Sequence, residues 1–194
     1  MPQQVLALRL LGGVMARGSA RDVLRDIQWV INGWWQLRSC TTVGPWARVA
    51  GRMRIYKVQG EIVLGAAVRI ASNNARTVLA VFPGGRIEIG DRTFLNYGTD
   101  ISATKLVKIG SDCLLGAHVG ILDNDFHDIQ ERSRMPAARP VVIGNRVWLG
   151  NRVMVLPGVT IGDDAVIGAA SVVVGDIPPR ALAVGNPARV IRTL

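Results

Sequence analysis

The 194-residue chain has two histidines, and one of them stands among carboxylates. In the stretch Ile121–Ile129, ILDNDFHDI, His127 follows Asp123 and Asp125 and precedes Asp128. An imidazole is the side chain best suited to take a proton from a hydroxyl near neutral pH. Positioned beside an alcohol attacking a thioester or ester carbonyl, it acts as a general base worth about 10²- to 10⁴-fold in rate. A neighbouring carboxylate can orient the ring and favour its charged form. Spacing leaves the choice among the three aspartates open, with Asp125 preferred because alternation puts it on the same face as His127.

The elements that must position His127 are repetitive. From Ile89 the chain parses into hexads, IGDRTF LNYGTD ISATKL, then two extra residues, then IGSDCL LGAHVG ILDNDF. After a gap it resumes as IGNRVW LGNRVM VLPGVT IGDDAV IGAASV VVGDIP. All twelve first positions are Ile, Leu or Val, and the fifth positions are mostly small or β-branched, with Lys105 and Asp125 the exceptions. Alternate side chains of a short strand face one way, so positions one and five share an interior. Three hexads close one triangular coil, and successive coils stack as parallel strands. An aliphatic residue every six positions would spiral around a helix rather than form a stripe, which excludes helix here. Glycine, Asp or Asn at the second and third positions suits positive-φ turns between the faces. The pattern continues upstream in degraded form, with Val58, Leu64 and Ile70 as first positions and Ile62 and Val68 as fifth, and the register of residues 71–88 is left open. The gap of 16 residues from His127 to Val142 is an excursion at a corner between coils, of the kind that often serves function. His118 takes the fourth position of its hexad and is read as a surface or interface residue.

Residues 20–38 space Val23, Ile27, Val30, Ile31, Trp34 and Trp35 as an amphipathic helix does. The chain thus divides into a helical or extended segment (1–45), a solenoid (46–178) with an extruded loop at 127–142, and a C-terminal tail (179–194). A formal charge of +9 favours anionic partners, but it contains no block of like charge and no interleaved aromatics, against nucleic-acid binding. Cys40 and Cys113 form no framework, consistent with reduced thiols. The opening apolar run lacks a basic lead and is broken by Arg9, so a signal peptide is not expected, and a cytoplasmic location is.

The hexads, the VWLG of Val147–Gly150 and the ending IGAASVVVGDIPPRALAVGNPARVIR resemble the left-handed β-helix hexapeptide-repeat acyltransferases, over about residues 58–194. Galactoside, maltose and polysaccharide O-acetyltransferases are among the members it resembles. The resemblance implies a left-handed parallel β-helix, a homotrimer with active sites between subunits, and acetyl-CoA as donor with no metal. It places the catalytic histidine at His127, although the Thr-x-His-Pro pattern usual in the family is missing. FLNYG matches a motif whose asparagine, here Asn96, binds the acceptor and stabilises the oxyanion; a turn asparagine is the plain alternative. Trp148, Asn151 and Ala169 match positions that line the pantetheine channel. Arg189 and Arg192, joined by Arg180, match basic residues that receive the nucleotide phosphates, a task that suits bidentate guanidinium groups.

The acceptor expected is a hydroxyl of a sugar or a lipid-linked sugar, with serine or an aminosugar as the alternative. The tryptophans and arginines of residues 20–38 suit packing on the solenoid or on a subunit, and also contact with a membrane carrying such an acceptor. The γ-class carbonic anhydrases share the solenoid but need three histidines on zinc, more than this chain has. A non-catalytic scaffold or anion-binding solenoid is the remaining competitor, and it gives no reason to keep His127, Asn96 and the loop together.

Overall fold

The computed structural model describes residues 20–194; the opening apolar run lies outside the described residues. Helix α1 (Ala20–Gln36) and one 3₁₀ turn (Leu37–Ser39) precede a three-faced solenoid of six coils. Each coil contributes one short strand to each of three parallel sheets. Sheet A holds β1 (Thr42–Val43), β4 (Glu61–Leu64), β7 (Arg86–Ile89), β10 (Val107–Ile109), β13 (Val141–Ile143) and β16 (Thr160–Ile161). Sheet B holds β2 (Arg48–Gly51), β5 (Arg69–Ser72), β8 (Phe94–Leu95), β11 (Leu114–Leu115), β14 (Trp148–Leu149) and β17 (Val166–Ile167). Sheet C holds β3 (Arg54–Lys57), β6 (Val78–Val81), β9 (Asp100–Ala103), β12 (Gly120–Leu122), β15 (Met154–Val155) and β18 (Val172–Val173).

The hexad reading fits this architecture. All twelve first-position residues from Ile89 to Val173 are at most 2% exposed, and the small or β-branched fifth positions are equally buried. Lys105 and Asp125, the two exceptions, point to solvent. The prism interior is therefore a column of aliphatic side chains stacked in register, Ile62 on Ile87 on Val107 on Val141 along one face.

The turn chemistry differs from the expectation. Positive φ falls at the fourth position of the hexad, at Arg92, Asp112, His118, Arg146, Arg152, Asp164 and Ala170, with only Gly98 and Gly158 supplying glycine there. A left-handed non-glycine residue costs about 1–2 kcal/mol. Each such N–H is instead fixed to the coil before, as in Arg92 N–H to the Ala66 carbonyl and Asp112 N–H to the Asp91 carbonyl. Second-position glycines are there for close approach: a Cβ on Gly144 would lie 2.3 Å from Asp163 Oδ1 and 2.8 Å from its N.

The upstream register also differs. Val58 is exposed, and the first positions of the opening coil are Val43, Val49 and Ile55, paired with Leu64, Ile70 and Leu79. Three extra residues between Ile55 and Leu64 push Val58 out of the interior. Residues 71–88 form β6 and β7, with another three-residue surplus between Ile70 and Leu79. The C-terminal segment is an antiparallel hairpin rather than a tail. Strands β19 (Ala181–Gly185) and β20 (Ala188–Thr193) extend sheet B beyond β17.

Candidate active site

His127 stands at the corner where sheet C passes to sheet A, in the excursion between β12 and β13. The same corner carries surplus residues in earlier coils: three after Ile55, four after Leu79 and two after Ile101. The neck of the excursion is tightly held. The buried Asp123 carboxylate accepts from the Thr104, Lys105 and Leu106 N–H groups at 2.6–2.8 Å and from the Thr104 hydroxyl at 3.0 Å. Its carbonyl accepts the Arg139 N–H, which closes the base of the loop. Asn124 donates to the Pro136 carbonyl across the neck and accepts from Phe126 N–H. Phe126 then packs edge-on against Phe82 at 5.5 Å.

On that base the imidazole is exposed, with its Nδ1 2.9 Å from the Arg132 carbonyl. A carbonyl only accepts, so Nδ1 carries the hydrogen and the Nε2 lone pair is left for a substrate proton. None of the three aspartates holds the ring. Asp125 pairs instead with Arg139 at 3.6 Å, correcting its expected orienting role, because the returning loop brings a cation to it. Asp128 caps the Gln130 and Glu131 N–H groups, which hold its carboxyl below the usual range, and Asp123 ties down the neighbouring corner. The orienting group is a main-chain carbonyl, for which the sequence carries no signal. Asp123 was visible, but its role was not, since its partners are backbone groups about 20 residues away.

Asn96 occupies the next corner, between sheets B and C, where later coils have Gly116, Gly150 and Gly168. Its Oδ1 accepts the Tyr97 N–H at 2.9 Å, and its Nδ2 donates to no described group. Asn151 and Ala169 stack at this corner two and three coils further on, and Ala170 N–H donates to the Asn151 carbonyl. The Asn151 side chain is a staple, accepting from Ala117 N–H at 2.8 Å. His118 is exposed there, edge-on to Tyr97.

Trp148 projects from sheet B and is 54% exposed, in an outward column that runs Phe94, Leu114, Trp148, Val166, Leu182 and ends at Arg192. Arg189 is exposed on the same hairpin. Arg180 sits at the opposite edge of sheet B, and its guanidinium donates to the Leu194 carbonyl. Thus Trp148, Asn151, Ala169 and Arg192 share one side, Arg180 does not join them, and His127 lies a full sheet width from Asn96. Sheet C separates the two halves, so one chain does not close a cleft around both.

Profiles of two repeat families match, the bacterial transferase hexapeptide (six repeats) at residues 140–175 and the hexapeptide repeat of succinyl-transferase at residues 106–121. The chain carries these hexapeptide repeats and is similar to hexapeptide-repeat acyltransferases. Galactoside O-acetyltransferase of Escherichia coli is 40% identical over 114 residues, 57% of this chain and 56% of the relative. The chain thus spans little more than half the length of the curated relatives it matches. Among solved structures, a galactoside acetyltransferase in complex with coenzyme A is 28% identical, with a TM-score of 0.57 over 88% of this chain and 79% of the other. A hexapeptide-repeat acetyltransferase from Vibrio cholerae is 28% identical, with a TM-score of 0.51 over 75% and 74%. These hexapeptide-repeat relatives share the stacked solenoid on which His127 and the sheet B column are displayed.

Proposed function

We propose that the protein is an O-acetyltransferase that moves an acetyl group from acetyl-CoA to a hydroxyl of a sugar or sugar precursor. The observation that carries the reading is the Nδ1 contact to the Arg132 carbonyl, which leaves Nε2 of an exposed imidazole as a free base at the mouth of the excursion. Nε2 takes the hydroxyl proton as the oxygen attacks the thioester carbonyl, and returns it to the departing CoA sulfur. The Asn96 Nδ2 donates to the developing oxyanion without adding a charge that titrates.

The donor would lie against sheet B, its pantetheine passing Trp148, Asn151 and Ala169. Arg189 and Arg192 at the end of that sheet would receive its phosphates. Because His127 and Asn96 stand at opposite edges of sheet C, the reading requires a homotrimer in which the sheet C to A corner of one subunit faces the sheet B to C corner of the next. The similarity to a galactoside acetyltransferase solved with coenzyme A supports both donor and acceptor class. The test is release of free CoA from acetyl-CoA by the purified chain against a panel of sugars, nucleotide sugars, serine and aminosugars. Release with a sugar hydroxyl is expected; transfer only to an amine would replace the O-acetyl reading, and none with any acceptor would end it.

A further inference from the structure

Helix α1 is inside out. Its polar side faces the solenoid, where the Asn32 amide donates to the Val49 and Gly51 carbonyls at 2.8 Å. Gln36 donates to the Gly51 carbonyl and accepts from Met53 N–H, both at 2.8 Å, and Asp26 pairs with Arg48 at 2.9 Å. Gly33 admits this approach, since a Cβ there would lie 2.8 Å from the Ala47 carbonyl oxygen. The docked face takes up Asp26, Asn32 and Gln36, and Leu24, Ile27, Ile31, Trp34 and Trp35 are left outside, 50–74% exposed, alongside the exposed Arg21, Arg25 and Gln28. Of the placements the sequence left open for these tryptophans, packing on the solenoid is not the one adopted, because the carbonyls at the end of β2 are met by Asn32 and Gln36 instead.

The charge of the molecule concentrates at this end. Residues 20–60 carry seven Arg or Lys against two Asp, whereas residues 61–194 carry fourteen against twelve acids. Two concavities adjoin beside the helix. One, of about 540 Å³, is walled by Trp29, Ile31, Trp34 and Trp35. The other, of about 510 Å³, holds Arg52, Arg76 and Met53, and the two share Asn32, Trp35 and Arg52. Arg52 and Arg76 are exposed and have no acidic partner among the described residues. An apolar groove opening onto unpaired guanidinium groups matches an amphiphile with an anionic head. A second copy meeting this end face to face would oppose like charge with like. Among the described residues no helix is long and apolar enough to cross a bilayer, so the contact is one that lies in the interface plane.

We propose that this end of the solenoid rests on an anionic membrane surface, with Ile31, Trp34 and Trp35 at the boundary between headgroups and acyl chains and Arg52 and Arg76 on lipid phosphates. The proposal is independent of acyl transfer. Its test is sedimentation of the full chain with vesicles of phosphatidylcholine alone and with about 30% phosphatidylglycerol, at low and high salt. Binding at least about tenfold stronger to the anionic vesicles, weakened by salt, is expected. Replacing Ile31 and Trp34 together by Ser should lower the partition at least about tenfold. Replacing Arg52 and Arg76 together by Gln should lower it about 30-fold. All four side chains are exposed, so melting curves should match wild type. Absence of wild-type binding, equal binding to neutral vesicles, or variants that bind as wild type would each overturn the proposal. So would a change in oligomeric state on replacing Ile31 and Trp34 in a protein that binds no vesicles, which would identify a second copy as the occupant.

Discussion

Two corners of the same prism follow opposite rules. Between sheets A and B the first-position residues are always six apart, from Val43 to Val49 through Ile161 to Ile167, and the second position is glycine in every coil. Third-position side chains there form a ladder: Asp91, Ser111, Asn145 and Asp163 each accept the third-position N–H of the preceding coil. Bidentate Arg92–Asp112 and Arg146–Asp164 pairs run alongside. Between sheets C and A the spacing changes in all coils but the last, and there His127 is displayed. The invariant corner fixes the coil register, so the variable corner can carry insertions of up to 16 residues without disturbing the stack.

The sharpest way to break this contrast is to insert Gly-Ser at each corner. Between Asn145 and Arg146 the insertion disrupts the ladder and the strands on both sides, and a loss of more than about 4 kcal/mol in denaturant unfolding is expected. Between Ser133 and Arg134, at the tip of the excursion, the loss should stay under about 1 kcal/mol. Equal losses would mean that the two corners are not mechanically distinct.

Asp123 is where the variable corner borrows the rigidity of the other. Asp123→Ala strands three backbone N–H groups and should cost about 3 kcal/mol in denaturant unfolding. It should also reduce turnover, because the neck that carries His127 loosens. A stable variant with normal turnover would show that the neck does not position the ring.

The smallest effect expected is on acid stability. Asp163 is held below the usual carboxylate range chiefly by the Asn145 N–H, and Asp112 and Asp164 chiefly by their arginines. A carboxyl lowered by folding stabilises above its unfolded pKa of about 3.9, and that contribution disappears as pH falls through the folded value. Thermal melts should therefore be flat above about pH 5 and decline below it. Asp163→Asn should make the acid limb slightly shallower, and an unchanged limb would argue against the ladder as the source.

The contrast between corners also explains what the sequence disclosed. The aliphatic first positions were legible because each sits in a buried column whose period nothing interrupts between Ile143 and Val173. The register before Ile89 was not, because surplus residues after Ile55, Ile70 and Leu79 break the count, so that Val58 mimics a core position. His127 could be singled out as an imidazole at a gap in the rhythm. What orients it could not, because Asp123, Asp125 and Asp128 look alike in sequence and are distinguished only by the N–H groups and the arginine the folded loop brings to each. Which side of the helix docks was hidden for a related reason: the carbonyls at the end of β2 that Asn32 and Gln36 meet are brought to them only by the fold.

In the proposed mechanism the excursion holds Nε2 of His127 where a hydroxyl would lose its proton. Turnover of acetyl-CoA by His127→Ala, measured beside its melting temperature, tests it most directly. A fall in turnover of about 10²- to 10⁴-fold with an unchanged melting temperature is expected, and near-normal turnover in the folded variant would rule His127 out as the base.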